Sequence, residues 1–404
     1  MVITAGPGLA ALPEGGRVDF TRLRRERRAR LADAMAEAGL DVLVLGRPAN
    51  ITYASGARQL WTAGARPFGP GALVMAGSGR VHLLSTWDDG VPEEIGHDQL
   101  FGLSWNPARI AANLAAIPGL ASATRIGTDG WSPGAGSLIT SVTPAAEVAD
   151  AGPVLAAARG TKTVDELACL RTAAAAAEAG MAALVEALRP GITEGQLMGV
   201  HAAALARLGL PTPPIEAAAC LTPVPGGGPG RLRRLVSDRP AEAGQMVVLT
   251  AGALYAGYEA TLSRTWLVGA GGGGRSGDAG GPIGAGPVAS GAQMETAGRA
   301  RSLRDARVGA CRTGPVPALL GPGERVGSEP VAWGVGLGME TPLLGAGLGA
   351  GVQLSAGMTL VVQAWAASEA GGALEADVVL VGADGPELLT RFGSCPALTS
   401  DRVH

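Results

Sequence analysis

Apolar and polar positions alternate between two periods along the first 150 residues. From Phe20, "RLRRERRARLADAMAEAGL" places its apolar residues at helical spacing and ends in Gly39, which predicts a helix with a glycine stop. "DVLVLG" follows as an unbroken apolar run of strand length. Further short strands read in "ALVMAG", "RVHLLST" and "TRIGTD", with helical pieces in "IAANLAAI" and "GSLITSV", so an α/β domain spanning 1–153 is expected.

The pattern then lengthens. "TKTVDELACLRTAAAAAEAGMAALVEAL" predicts a long helix opened by a capping box of Thr163 and Glu166. "RPGITEGQLMGVHAAALARLGL" predicts a second helix with Thr193 at its N-cap. Strands dominate from Ile215 to Phe392, and "VVLTAGALYAGYEATLSRTW" reads as two of them around a tight turn. The glycine-rich stretch within 269–293 is expected to be a mobile loop. "METAGRARSLRDARVGACRTGPVPALLGPGERVG" begins as a helix that Pro315, Pro317 and Pro322 are expected to break. A second domain spanning 154–404 is expected.

Composition narrows the classes of partner. A chain of 404 residues with 47% hydrophobic and 17% charged residues is globular, and a net charge of -3 gives no basic field for nucleic acid or an anionic membrane. No window reaches the roughly 18 apolar residues of a membrane span, and no cationic, then apolar leader opens the chain. Cys169, Cys220, Cys311 and Cys395 form no CxxC pair, so neither a zinc knuckle nor a redox motif is written. A cytoplasmic protein is expected.

Taken in order, "RLADAMAEAGLDVLVLGRPANITYASG", "KTVDELACLRTAAAAAEAGM", "LRPGITE", "SDRPAEAGQMVVL", "GALYAGYEATLSRT", "GVGLGMETP", "LSAGMTLVVQAW" and "ADVVLVGADGPELLT" resemble the creatinase, prolidase and aminopeptidase P family. The resemblance implies an α/β N-terminal creatinase-like domain followed by an α+β pita-bread domain. It also implies two divalent metals held by two Asp, one His and two Glu, which together generate a hydroxide nucleophile. At those positions this sequence has Thr250, Thr261, Trp333, Gln363 and Ala376. The only histidines are His82, His97, His201 and His404, so none lies between 202 and 403 in any register. Neutral oxygens, an indole and a methyl offer no charge compensation for two cations. Creatinase works without metal through a His and two Glu, and the matching positions are Arg233, Ser263 and Gln363. The expected metal set and cofactor set are therefore both empty.

Several polar residues remain as candidates. Arg264 suits a carboxylate clamp or a structural pair at a strand end. Tyr258 and Glu259 alternate, so one faces inward. Glu340 in "GMETP" is the best remaining general acid or base if it faces the pocket. Asp377, with Glu375 beside it, lies on the strand of the last implied ligand, where solvent exposure is the default. Trp333 and Trp365 would either fill the metal void or form an apolar wall for a ligand. The resemblance brings in Arg47 and Arg66 near the substrate, although ordinary surface arginines are commoner.

Three other features are set aside. "GAGGGG" fits a dinucleotide fingerprint with no helix behind it. "GWSPG" around Ser132 fits a nucleophile elbow with no suitable downstream His, and His201 sits among alanines on a helix as a structural residue. The catalytic set is thus Glu340, Arg264, Glu259 and Asp377, lined by Thr250, Thr261, Trp333, Gln363, Trp365, Tyr258 and Arg66. The reading is a metal-independent enzyme acting on a small amide, amidine or amino-acid-derived compound. The alternative is an inactive pita-bread protein that serves as a binding module or subunit. A small or short peptide-like ligand is expected as partner, with a homodimer by analogy alone.

Overall fold

The computed structural model describes residues 18–57, 71–85, 88, 90–102, 104, 106–210, 218–226, 232–269, 287–321, 330–345 and 347–399. Arg66, Pro322 and residues 270–286 of the glycine-rich stretch lie outside them. The chain divides into two compact units, one of Asp19–Asp165 and one running from Glu166 onward.

In the first unit, helix α1 (Phe20–Glu37) leads through Gly39, at φ +62°, into strand β1 (Val42–Leu45). There follow α2 (Pro48–Ser55), β2 (Ala72–Met75), β3 (Val81–Leu84), β4 (Leu100–Phe101) and α3 (Pro107–Ala115). β5 (Arg125–Thr128), α4 (Pro133–Val142), β6 (Glu147–Asp150) and α5 (Gly152–Gly160) complete it. The strands form one mixed sheet in the order β4-β3-β2-β1-β5-β6. Val42, Val44, Leu73 and Ile126 from its strands pack with Ile110, Leu114 and Ile139 from α3 and α4.

The arginine-rich face of α1 is used inside this unit. Arg27 donates to the Thr52 carbonyl at 3.1 Å and Arg28 to the Ala54 and Ser55 carbonyls at 3.3 and 3.4 Å, which satisfies the open carbonyls at the end of α2. Arg22 pairs with Asp165 at 2.6 Å and Arg24 with Glu94 at 2.7 Å. The start of α2 is held from the residue after β5: Asp129 accepts from the Gly46 and Arg47 amides at 2.7 and 3.1 Å and from Asn50 Nδ2 at 2.8 Å.

The second unit opens with α6 (Val164–Ala187) and α7 (Glu194–Arg207). α6 is long and apolar enough to cross a membrane by length and composition, yet more than half of its apolar window is buried in the protein, as in a core helix. Thr193 caps α7 as expected: its side chain accepts from the Gln196 amide, and the Gln196 side chain returns to the Thr193 amide. The strands that follow are β7 (Ala218–Thr222), β8 (Met246–Tyr255) and β9 (Tyr258–Leu267). Ala256 and Gly257 both have positive φ, 51° and 85°, in the two-residue turn that joins β8 to β9.

Helix α8 (Gly291–Gly309) comes next, then β10 (Gly314–Pro315), β11 (Ala332–Gly336), β12 (Gly338–Leu344), β13 (Gln353–Leu354), β14 (Thr359–Ser368), β15 (Gly371–Val381) and β16 (Pro386–Leu388). The sequence reading expected prolines to break the helix. They do not, because α8 completes 19 residues and ends at Gly309, before Pro315. The main sheet runs β12-β11-β14-β15-β9-β8-β7, with β16 added to β15, and its pairings among the described residues are all antiparallel. This is the antiparallel sheet that the pita-bread expectation called for.

Candidate functional site

Strand alternation divides the candidate residues between two faces of this sheet. On one face the register aligns Thr250 of β8 with Ser263 of β9, Ser263 with Ala376 of β15, and Ala376 with Gln363 of β14. One row therefore crosses four strands. Thr261 lies two residues from Ser263 and on the same face, directly across from Gly252. Thr250 Oγ1 and Ser263 Oγ share a hydrogen bond of 2.8 Å. Gln363 Nε2 donates to the Pro330 carbonyl at 2.8 Å. Thr261 Oγ1 is buried and has no hydrogen-bond partner among the described residues.

Glu259 shares this face. It is buried, and its Oε2 would lie 3.9 Å from a Cβ placed on Gly338. Half-buried Glu340 rests on Gly336, where an added Cβ would lie 2.9 Å from both carboxylate oxygens. Gly336 and Gly338 are direct partners in the β11–β12 hairpin, so the two acids reach neighbouring glycines. A side chain at Gly336 would crowd the Glu340 carboxylate, and one at Gly338, where φ is +78°, would strain the backbone.

The opposite face is covered by helices, and Arg264 and Asp377 lie there. Arg264 is 1% exposed and all three of its nitrogens are engaged: Nε donates to the Phe392 carbonyl, Nη1 to the Ser263 and Ala376 carbonyls, each at 2.8 Å, and Nη2 to Asp377 at 2.7 Å. Nη1 thus bridges the carbonyls of the two residues that pair β9 with β15. Asp377 also accepts from Arg304 of α8 and from Thr390 Oγ1 at 2.7 Å. Tyr258 belongs to this face too, and its hydroxyl donates to Glu166 of α6 at 2.8 Å.

Glu375 and Asp377 are two residues apart and therefore share a face, and both are fully buried, which overturns the expectation of solvent exposure. Burial pushes the Glu375 carboxyl up to about 7, against the opposing pull of Arg264 and Arg304. Arg264 Nε lies 3.5 Å from Glu375, and Ser394 Oγ donates to it at 3.3 Å.

Glu340, Arg264, Glu259 and Asp377 consequently do not meet in one place. Glu259 and Glu340 flank one hairpin, while Arg264 and Asp377 bind each other behind the sheet. Trp333 is buried in β11 opposite Val361. Trp365 is half-buried with its indole over Gly372, where an added Cβ would lie 2.1 Å from the ring. Arg66 lies outside the described residues.

Ser132 caps α4, accepting from the Ala135 amide at 3.3 Å, and is not a nucleophile elbow. His201 packs against Gly180, and burial lowers its pKa to about 4, so it is neutral. Sequence reasoning missed Glu194, which is fully buried and accepts from the Leu221 amide at 2.8 Å, the Ser237 amide at 2.7 Å, Ser237 Oγ at 2.9 Å and Arg233 Nη2 at 2.7 Å. The guanidinium of Arg233 is thus engaged by that carboxylate. The lone acid in "GITE", beside the helix start, was the available signal.

Among the described residues no group of three or more His, Cys, Asp or Glu side chains is placed to hold a metal ion. The row Thr250, Ser263, Ala376 and Gln363 does not fit a dinuclear centre, since it carries no charge and Thr250 and Gln363 are bonded to neighbours.

A mixed α/β unit followed by an antiparallel, helix-backed sheet is the architecture of a metallopeptidase-type scaffold. The profile of the creatinase/prolidase N-terminal domain matches residues 27–160, and that of metallopeptidase family M24 matches residues 168–273. The chain belongs to the creatinase, prolidase and aminopeptidase P family. No curated protein sequence matches it. Its fold is similar to that of the prolidase from Pyrococcus horikoshii OT3, with a TM-score of 0.71 and 17% identity over 91% of this chain and 99% of that one. It is also similar to the Xaa-Pro dipeptidase from Bacillus anthracis (TM-score 0.69, 19% identity, 92% and 98% covered). A third similar structure is dipeptidase PepE from Mycobacterium ulcerans (TM-score 0.67, 22% identity, 93% and 97% covered).

Proposed function

We propose that this family member holds a small or short peptide-like ligand on the face of its main sheet that carries Thr250, Thr261 and Ser263, without a dinuclear metal centre. The neutral row Thr250, Ser263, Ala376 and Gln363 carries the reading. Two divalent cations seated there would lose their hydration and gain no carboxylate in return. The separation of Arg264 and Asp377 from Glu259 and Glu340 favours binding over catalysis, because half of the candidate acid-base and clamp groups bind each other on the helical face.

A second reading is metal-independent hydrolysis of a small amide, amidine or amino-acid-derived compound. The approach of Glu259 and Glu340 to the paired glycines Gly338 and Gly336 favours it, since two carboxyls at one hairpin can divide acid and base roles. A cytoplasmic, cofactor-free homodimer is the accompanying expectation. The engagement of Arg22, Arg24, Arg27 and Arg28 within the first unit supports the exclusion of nucleic acid and membrane surfaces as partners.

The deciding experiment screens short peptides, small amides and amidines by thermal shift and by turnover, each with and without added manganese. Stabilising ligands without turnover uphold the binding reading. Turnover that survives chelator and is lost in Glu340→Gln upholds the second. Turnover that requires manganese defeats both.

A further inference from the structure

We infer that the hydroxyl cluster of Thr250, Thr261 and Ser263 is a subsite for a neutral amide or carbonyl group, with Thr261 Oγ1 as its hydrogen-bonding contact. The inference rests on the reading above that this face of the sheet receives a ligand without metal, and it names the chemistry of the group received there.

The observation that carries it is the hydroxyl of Thr261, which has no hydrogen-bond partner among the described residues and whose residue is 4% exposed. A hydroxyl withdrawn from water without a partner is unfavourable, and buried polar groups in native proteins are nearly always satisfied by protein, water or ligand. The neighbouring hydroxyls do not relieve it in the arrangement present: Thr250 and Ser263 are bonded to each other at 2.8 Å and neither reaches Thr261 Oγ1. Valine has the same shape and suits a strand equally well, so packing alone gives no reason for the hydroxyl at position 261. Directly across the ladder is Gly252, so no side chain from β8 stands opposite Thr261.

The chemistry of the row sets the class of ligand. Only one hydrogen is shared between Thr250 and Ser263, so the receiving hydroxyl keeps its own hydrogen to donate. Thr261 can donate to a carbonyl oxygen or accept from an N–H. The row beside Ser263 continues through Ala376 and Gln363, which are uncharged, and Glu259, two residues from Thr261 on the same face, already has a partner, so an ion brought against the row would lose its hydration for little counter-charge. A neutral group with both an acceptor and a donor satisfies what is present, and an amide is the smallest common one.

The test uses the full chain and four small probes: acetamide, N-methylacetamide, acetate and methylammonium. Binding is followed by saturation-transfer NMR and by melting temperature for wild type, Thr261→Val, Thr261→Ser and Thr261→Ala. The inference expects binding of the two amides in preference to the two ions, a loss of at least tenfold in Thr261→Val and Thr261→Ala, and recovery in Thr261→Ser. Circular dichroism confirms that each variant folds, and Thr261→Ser keeps the test decisive if either apolar variant does not. Equal binding of acetate or methylammonium overturns it, as does amide binding that ignores Thr261→Val. Absence of amide binding overturns it too. A more stable Thr261→Val would then mark an empty site, and a less stable one a bound water. Larger ligands that bind with no response to Thr261 would remove this inference and leave the metal-free pocket standing, whereas metal-dependent turnover would remove the pocket reading itself.

Discussion

Arg264 Nη2 and Asp377 Oδ1 lie 2.7 Å apart, with neither side chain more than 1% exposed. The pair ties β9 to β15, and Arg304 extends it into α8. Removing the carboxylate would strand buried guanidinium charge. Asp377→Ala is expected to lower stability by about 3–5 kcal/mol, and equilibrium urea unfolding of both proteins checks it.

Glu375 gives the pH dependence a definite sign. Its folded-state pKa, raised to about 7 by burial, exceeds the ordinary value of 4.5, so the folded state holds a proton that the unfolded chain releases. Stability from this group is present below about 4.5 and declines as pH rises toward 7. Melting temperatures of wild type should therefore fall relative to Glu375→Gln between those two values. His201, lowered from 6.5 to about 4, acts in the opposite direction in the same range, but it is common to both proteins and cancels in their difference.

Gly372 is the seat of the Trp365 indole. Gly372→Ala should cost about 1–3 kcal/mol through overpacking. Most of that cost should vanish in a Trp365→Ala background, which a double-mutant cycle in urea measures. Gly199 provides the contrast: it lies inside α7 with nothing within 4 Å of an added Cβ. Gly199→Ala should raise stability by about 0.5–1 kcal/mol.

Metal content is the direct check on the neutral row. Tag-free protein after dialysis should contain no stoichiometric manganese, cobalt, zinc or iron by elemental analysis. Neither chelator nor added metal should move its melting temperature. One or two metals per chain would restore the peptidase reading.

Much of the scaffold was readable from local chemistry. The Thr193 cap, the Gly39 stop and the "YAG" turn depend on contacts or dihedral angles confined to a few residues, so the sequence carries them in full. The faces of β9 and β15 were only half readable. Period-two spacing separates Glu259 from Arg264, but it does not say which side α6 and α8 will cover, because that depends on contacts between elements distant in the chain. Glu375 and Asp377 were misjudged for the same reason: their partners Arg264, Arg304, Thr390 and Ser394 come from three other segments. The end of α8 was misplaced, since the helix closes at Gly309, before the proline-bearing segment is reached.

The two-sided character of the sheet has an evolutionary consequence. Ionic cross-links and helix packing are concentrated on the face of Arg264, Asp377 and Tyr258, while Thr250, Thr261, Ser263 and Ala376 sit on the other. Substitutions of similar volume on the face of Thr250, Thr261 and Ser263 therefore leave the ionic frame of the other face intact, so a lineage can vary the chemistry of one face while each intermediate still folds.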